Sequence, residues 1–165
     1  MKRHLSVFLF GLVILLMAIS PVQDTIASAT SVGNSPESMA AHGLSLSNMQ
    51  IRISSREHTA IFLLYDTVAA KQFYAQLPLQ LELSNFRDAQ WMFYPPEKLS
   101  VTADEAYHDG KKGELSYYQP WGDVFMLYKD FYAGDEMHRL GIGLSGIEDI
   151  AEMSGQVFIE KQRAE

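Results

Sequence analysis

The stretch from Gly113 to Phe131, GELSYYQPWGDVFMLYKDF, decides the fold class of this chain. In it, two runs rich in aromatic and aliphatic residues flank the tetrapeptide Pro120-Trp121-Gly122-Asp123. Proline and glycine favour a tight turn, because proline fixes φ and glycine accepts positive φ. Runs of this composition on both sides of a turn are typical of a β-hairpin. The stretch therefore predicts two antiparallel strands with a tryptophan at the tip between them.

Six further strands are predicted outside this hairpin from alternating apolar and polar residues or short apolar runs. They cover Met49–Ser54, Glu57–Tyr65, Leu79–Ser84, Trp91–Tyr94, Met137–Leu144 and Gln156–Glu160. Two short helices are predicted, one capped by Asp66 and ended by Pro78, the other over Ile147–Met153. The polar segment Lys98–Lys112 is predicted to be a long loop. Eight short strands with mostly hairpin-length connections predict a mainly β fold, a closed eight-stranded β-barrel with two short helices.

The N-terminal segment has the pattern of a secretion signal. Lys2 and Arg3 precede the apolar run Leu5–Ile19, and the small residues Ala27-Ser28-Ala29 follow. The run is shorter than the roughly 20 residues that span a bilayer, although an uncleaved N-terminal anchor stays open. The predicted organisation is a signal peptide over 1–29, a flexible linker over 30–48 and a folded domain over 49–165. We expect an exported protein, periplasmic or extracellular, with membrane contact only through the N-terminal segment if it stays uncleaved.

Composition excludes several classes of site. The chain of 165 residues has no cysteine, which excludes a thiol nucleophile, a zinc–thiolate site and a disulfide framework. Without Lys2, Arg3 and Asp24, the mature chain keeps 11 of 13 basic and 19 of 20 acidic residues, a net charge of −8. Such a charge argues against nucleic-acid binding and against docking on an anionic lipid surface. No cofactor is predicted.

Three motifs carry possible chemistry, and each has a plainer interpretation. Gly141-Ile-Gly143-Leu-Ser-Gly146 matches the dinucleotide pattern G-x-G-x-x-G, but too few residues follow for a βαβ unit, so a bent strand is favoured. An acidic cluster in the long loop could bind a divalent cation or be solvated; it comprises Asp104, Glu105, His108 and Asp109. Glu136 and His138 could form an acid–base pair, though a surface ion pair is favoured. No catalytic residue and no metal ligand is assigned.

Short motifs in a fixed order carry a family resemblance. They are Met49-Gln-Ile-Arg-Ile, Leu64-Tyr65-Asp66 with Ala69-Ala70, Leu77-Pro78-Leu79, Gly113-Glu-Leu, Tyr118-Gln-Pro-Trp-Gly-Asp, Tyr128-Lys-Asp-Phe and Arg139-Leu-Gly141. Together they resemble the compact bacterial cyclophilin-like domain family, over about Met49 to Ile159. The resemblance implies a small closed barrel of about eight strands with two helices, in agreement with the strand pattern.

The resemblance implies less about activity. True cyclophilins are prolyl isomerases that use an arginine followed shortly by Phe-x-x-Gln, together with a tryptophan and a histidine. Phe73-Tyr-Ala-Gln76 matches the tetrad in letters, but it lies in the predicted first helix with no arginine just before it. No position of this chain therefore receives the catalytic arginine.

The favoured expectation is a non-catalytic binding module that holds a peptide or small ligand. Trp121 lies at a turn, where burial is difficult, so it either folds over the barrel mouth or is exposed for contact. The predicted ligand-binding residues are Tyr118, Trp121 and Phe131, with Arg139 as a polar anchor. The alternative is a peptidyl-prolyl cis-trans isomerase acting on exported proteins, with Arg139 or Arg52 as its cation. A metal-dependent enzyme using Asp104, Glu105 and His108 is the third hypothesis.

Overall fold

A computed structural model describes residues 43–163, which build a ten-stranded antiparallel sheet. The predicted signal peptide and the linker up to residue 42 lie outside the described residues. The strands are β1 (Leu46–Ser55), β2 (His58–Tyr65), β3 (Leu79–Glu82), β4 (Ser84–Phe86), β5 (Gln90–Phe93), β6 (Ala106–Gly110), β7 (Glu114–Tyr118), β8 (Asp123–Leu127), β9 (Phe131–Ser145) and β10 (Gln156–Gln162). The α-helix α1 spans Val68–Ala75, and two 3₁₀ helices span Ala103–Glu105 and Glu148–Glu152.

The sheet curls until its two edges almost meet. Its strand order is β3-β10-β1-β2-β9-β7-β8-β5-β4, and β6 pairs with β9 beside this path. The two edge strands, β3 and β4, are separated in the chain only by Leu83, whose backbone N–H donates to the Gly155 carbonyl at 2.8 Å. β1 pairs antiparallel with β10, with Gln50 opposite Gln162 and Ser54 opposite Phe158. The arrangement confirms the predicted mainly β, barrel-like class.

The strand count of ten corrects the predicted eight. The two extra strands, β4 and β6, lie where the sequence has few apolar residues. β4 is three residues long, and β6 runs through the segment that was predicted to be a polar loop. Neither strand has an alternation long enough to predict, because each buries very few side chains.

The interior of the barrel is filled by side chains that alternate along the strands. In β7, Leu115 and Tyr117 point inward, whereas Ser116 and Tyr118 lie on the outer face. Helix α1 packs Phe73 against Phe93 at the end of this core, with ring centroids 6.1 Å apart. Fully burying such an apolar side chain contributes about 1.5–3 kcal/mol, so this core is the main source of stability.

A second apolar cluster lies on the outer face of β7 and β8. It joins Tyr107 of β6, Phe125 and Leu127 of β8, and Met137 of β9, with Tyr118 and Phe131 at its margin. β9 makes this possible because it is 15 residues long and changes partners. Its first half pairs with β6, and its second half pairs with β7 and β2. The antiparallel pair of β6 and the first half of β9 therefore covers part of the outer sheet.

Helix α1 is capped one residue later than predicted. The N-cap is Thr67, whose Oγ1 accepts the backbone N–H of Ala70 at 3.2 Å. Asp66, the predicted cap, instead forms an ion pair with Lys71 on the surface. Among residues 43–163, no helix is both long and apolar enough to cross a membrane.

The glycines of the G-x-G-x-x-G pattern serve close packing between β9 and β2. Gly146 has a φ of +68°, and a Cβ placed on it would collide with the Thr59 carbonyl. A Cβ on Gly141 would lie 2.7 Å from the carbonyl oxygen of Leu63. These contacts favour the interpretation of a bent strand over that of a nucleotide-binding loop.

Candidate functional site

A cleft of about 250 Å³ opens on the outer face of the barrel, beside the β7–β8 turn. It lies between the first half of β9 on one side and the β4–β5 connection on the other. The lining residues are Phe86, Arg87, Gln90, Tyr118, Trp121, Asp123, Phe125, Phe131, Tyr132, Ala133, Gly134 and Met137. The structure thus brings together three of the four predicted ligand-binding residues, Tyr118, Trp121 and Phe131.

Trp121 is held in place by aromatic neighbours and is still half exposed. Its ring meets Phe86 edge to face at 5.4 Å and Tyr118 at 5.5 Å, with interplanar angles of 87° and 89°. Phe86 also packs against Phe131 at 6.0 Å. Even so, 49% of the Trp121 surface is exposed. The two expectations for this residue are therefore combined, since the ring folds over its neighbours and still presents a face to solvent.

The β7–β8 turn sets the position of that ring. The Gly122 N–H donates to the Tyr118 carbonyl at 2.9 Å, and Gly122 adopts a φ of +76°. A residue with a side chain would be strained at this φ, so the glycine is required for the tight return of the chain. The turn thus brings Trp121 into the same cleft lining as Asp123, the residue that begins β8.

That residue, Asp123, belongs to the strand and not to the turn in which the sequence analysis placed it. It is only 1% exposed, and neither carboxylate oxygen has a hydrogen-bond partner from another described residue. Burial raises the pKa of Asp123 from 3.8 to about 6, although its own backbone N–H opposes part of the shift. Gln90, which pairs with Leu127 at the other end of the β5–β8 pair, also lines the cleft and is buried, with its Oε1 unpartnered among the described residues. The floor of the cleft at Asp123 therefore holds two unsatisfied carboxylate oxygens, and Gln90 Oε1 is a third acceptor farther along the lining.

The fourth predicted residue, Arg139, is placed elsewhere. Its Nε donates to Glu114 Oε1 at 3.0 Å, and its guanidinium carbon lies 3.7 Å from the centre of the Tyr107 ring. Glu114 is 1% exposed and also accepts from the Lys111 backbone N–H and the Tyr107 hydroxyl. A buried arginine needs a counter-charge, and here the protein supplies it internally. Arg139 is not in the cleft lining, so it is not available there as a polar anchor.

Glu136 and His138 are not bonded to each other. Glu136 accepts a hydrogen bond from the Tyr118 hydroxyl at 3.2 Å. His138 is 2% exposed, and neither ring nitrogen has a hydrogen-bond partner in the described part of the chain. Burial lowers the pKa of His138, so the ring is neutral near pH 7. Neither the acid–base pair nor the surface ion pair is formed.

The acidic cluster of the former loop is spread over two elements. Asp104 and Glu105 lie in the first 3₁₀ helix, and His108 and Asp109 lie in β6. Within residues 43–163, no group of three or more histidine and acidic side chains is arranged to hold a metal ion.

The residues considered for isomerase chemistry are also outside the cleft. Phe73 is fully buried in the barrel core, and the Gln76 amide bonds to the backbone of Glu97. Arg52 donates to Gln162 on the β1–β10 surface. The tetrad Phe73-Tyr-Ala-Gln76 therefore contributes no residue to the cleft.

Nine of the twelve lining residues were not predicted from the sequence, among them Phe86, Arg87 and Gln90. These three come from the β4–β5 hairpin, in whose turn Arg87 and Asp88 both have a φ of +52°. Tight hairpin turns require positive φ at successive positions, and the usual Asn-Gly signal is absent here. The Asn85 side chain, which accepts the Asp88 N–H at 3.0 Å, was the available clue.

Comparison with known proteins agrees with the architecture. The family model described as the cyclophilin-like family matches residues 53–160. Among solved structures, the chain is similar to a hypothetical protein from Archaeoglobus fulgidus, with a TM-score of 0.57 and 13% identity. That match covers 70% of this chain and 95% of the archaeal one, and it shows a shared fold. No curated protein matches the sequence. The match over most of the described barrel establishes that the chain belongs to the cyclophilin-like family.

Proposed function

We propose that this protein is a binding module that holds a peptide or a small ligand in the cleft beside the β7–β8 turn. One observation carries the proposal: Trp121 is half exposed at a concave site, yet aromatic contacts hold its ring in place. Aromatic anchors that are rigid before binding lose little side-chain entropy, which is why tryptophan and tyrosine dominate binding energetics.

The size of the cleft limits the ligand. Its volume of about 250 Å³ is below the roughly 300–1,000 Å³ of pockets that enclose drug-sized molecules. Such a space suits one or two side chains of a peptide, or a small organic molecule. The exposed Tyr132 at the rim, 73% accessible, would extend the contact beyond the cleft itself.

The two tryptophans of the chain make a direct test possible, since Trp91 lies outside the cleft lining. In a Trp91→Phe variant, Trp121 is the only indole, and its fluorescence reports on the cleft. A peptide and fragment screen on this variant should yield ligands that change the Trp121 emission. Trp121→Ala should weaken those ligands by about 30-fold, the effect of losing a binding hot spot, as measured by calorimetry or NMR titration.

Tyr94 supplies the matched control. It has the same 49% exposure as Trp121 but does not line the cleft. Tyr94→Ala should leave the affinity of the same ligands within a factor of two. Unchanged binding by Trp121→Ala would rule out this cleft as the site.

The proposed place of action is the periplasm or the extracellular space. Support comes from the basic start, the apolar run Leu5–Ile19 and the small residues at 27–29. Mass spectrometry of the protein recovered from cell fractions would test this. A chain that begins near Thr30 outside the cytoplasm is expected, whereas an intact chain in the cytosol would contradict it.

Prolyl isomerase activity is a second candidate, favoured by Arg87 in the lining of an aromatic cleft. The reaction needs an apolar surface for the proline ring and a cation that donates to the prolyl nitrogen, which weakens amide resonance. A protease-coupled assay on an Ala-Pro peptide should then show acceleration that Arg87→Ala abolishes. The absence of acceleration over the uncatalysed rate, which takes tens of seconds or more, would remove this candidate.

A further inference from the structure

We propose that the cleft selects ligands that carry an ammonium group on an apolar stem, with Asp123 as the ionic partner of that group. The inference rests on the proposed binding function and names the chemical class of the ligand. The stem would lie between the aromatic walls, and the ammonium group would reach the floor.

The first argument is the unpaired carboxylate. A buried charge without a partner is costly, so proteins pair such groups or use them. Asp123 is 1% exposed, lines the cleft and has no hydrogen-bond partner from another described residue. An incoming cation would supply the missing partner. Binding would then remove the free-energy cost of the unpaired carboxylate, which favours the complex.

The second argument is the donor count of the ligand. An alkylammonium group has three N–H donors and no acceptor. At the floor, the two Asp123 oxygens are acceptors without a partner from another described residue. A hydroxyl ligand has one donor, so it would leave more of these acceptors unsatisfied.

The third argument is the walls. The rings of Trp121, Tyr118 and Phe86 pack edge to face around the cleft. Aromatic faces attract cations, most strongly when water is excluded. The walls therefore suit both parts of the ligand, the apolar stem by contact and the cation by the ring quadrupole.

The other charges that face the cleft are compatible with this ligand. Glu136 of β9 accepts from the Tyr118 hydroxyl and adds negative charge at the mouth. Arg87, from the β4–β5 connection, is exposed and lies over the Phe86 ring at 5.1 Å. Its charge is screened by solvent, whereas that of Asp123 is not, so the field at the floor stays negative.

The competing ligand is a carbonyl compound that accepts a hydrogen bond from protonated Asp123. The two ligand classes differ in their pH dependence, because the pKa of Asp123 is about 6. Ionised Asp123 rises from about a tenth of the molecules at pH 5 to nearly all at pH 7.5. Affinity for an ammonium ligand should therefore rise about tenfold over this range, and affinity for a carbonyl ligand should fall.

The experiment uses the full chain with Trp91→Phe and two probes of nearly equal shape, benzylamine and benzyl alcohol. Trp121 fluorescence measures both affinities at pH 7.5. Benzylamine should bind at least tenfold more tightly than benzyl alcohol. Asp123→Asn should abolish this preference, whereas Asp149→Asn, which removes an exposed carboxylate outside the cleft, should preserve it.

Two peptide probes distinguish the source of the ammonium group. They are an acetylated and amidated Ala-Lys-Ala peptide and the same peptide with an acetylated lysine side chain. Tighter binding of the lysine peptide than of benzylamine identifies a lysine side chain as the ligand, and the reverse order identifies a free amine. Both outcomes support the proposal, provided that acetylation weakens the peptide.

Three results would overturn the proposal. They are equal binding of amine and alcohol, amine binding that Asp123→Asn does not weaken, and amine binding that is tighter at pH 5 than at pH 7.5. Failure of every ammonium probe would also overturn it. In that case a ligand from the peptide and fragment screen that depends on Trp121 would still support the binding function.

Discussion

At the scale of single residues, the pair Arg139 and Glu114 shows how the outer face of the sheet accommodates charge. Arg139 is stacked on Tyr107 and bonded to Glu114, with side-chain exposures of 7% for Arg139 and 1% for Glu114. Burial is the main cause that raises the pKa of Tyr107 and that of Tyr65, the latter to about 12. The negative charge of the nearby Glu114 carboxylate raises both further. Both tyrosines are therefore uncharged over the physiological pH range.

Glu114→Gln should destabilise the protein by about 3–5 kcal/mol, because the buried Arg139 then keeps only the exposed Asp109, 4.0 Å away, as a counter-charge. Urea unfolding at pH 7.5 measures the loss. The double variant Glu114→Gln with Arg139→Met should be more stable than the sum of the two single losses predicts. Asp66→Asn removes one partner of the exposed pair with Lys71 and should cost less than about 1 kcal/mol. A loss below that level for Glu114→Gln would refute the role of the pair.

The sequence located the aromatic residues of the cleft better than the charged ones. Tyr118, Trp121 and Phe131 could be selected because aromatics around a predicted turn are informative by themselves. Asp123 was assigned to the turn, since aspartate is common there, and Arg139 was expected in the cleft as a polar anchor. Whether a charged residue is buried depends on the strand that packs over it, and that packing is a long-range property that single-residue patterns do not contain.

At the scale of elements, β9 depends on glycine where it meets β2. Gly146 and Gly155 have almost the same φ, +68° and +69°, but different surroundings. A Cβ on Gly146 would collide with the Thr59 backbone, whereas a Cβ on Gly155 would meet nothing within 4 Å. A substitution at Gly155 therefore introduces backbone strain alone, whereas a substitution at Gly146 introduces the same strain together with a steric clash.

Gly155→Ala should cost about 1–2 kcal/mol, the cost of a left-handed conformation for a residue with a Cβ. Gly146→Ala should cost a further 1–3 kcal/mol or so, because the Thr59 backbone must move. Thermal or urea unfolding of the two variants, side by side, gives the difference. Equal losses would mean that β2 yields without cost and that the close approach is not needed.

Elements with an alternating apolar face were predictable, and elements without one were not. The β7–β8 hairpin and the strands β1 and β2 follow from their own residues. β6 was hidden because only Tyr107 and Gly110 are buried in it, and its partner β9 appeared to start at Met137. β4 was hidden because the turn that follows it places Arg87 at positive φ, a conformation that few residues other than glycine adopt. β4 contributes Phe86 to the cleft lining, and β6 pairs with the half of β9 that lines it, so the full lining could not be predicted.

At the scale of the whole molecule, two buried groups make stability depend on pH in opposite directions. The pKa of Asp123 is raised to about 6 on folding, so its contribution is present at low pH and is lost as the pH rises through 6. The pKa of His138 is lowered by burial, so its contribution is present above 6.5 and is lost as the pH falls. As the pH falls below 6, the two effects therefore oppose each other.

Asp123→Asn isolates the first effect, because His138 is unchanged in the variant. The variant and the parent should be about equally stable at pH 3, where Asp123 is mostly protonated in both the folded and unfolded states. At pH 7.5 the variant should be more stable by about 2 kcal/mol, less than the full pKa shift implies because the cleft opens to solvent. Urea unfolding from pH 3 to 7.5 measures this difference. A difference that does not grow with pH would show that the carboxylate is satisfied in the folded protein.

The sequence predicted that the strands form a barrel, but it did not predict which strands pair or in which register. The number and spacing of strands indicated a barrel, whereas the meeting of β3 and β4 across Leu83 depends on which strands pair. Pairing between residues more than a hundred positions apart, such as Gln50 with Gln162, leaves no local trace in the chain.

The antiparallel pairing of β1 with β10 determines how the domain responds to force. The N-terminal part of β1 lies opposite the C-terminal end of β10, so the chain enters and leaves the barrel side by side. Tension applied through both ends would load the hydrogen bonds of this pair one after another, like a zipper, and would not shear them together. The domain should therefore open at low force, and the same geometry would let it be inserted into a surface loop of a host protein with little distortion.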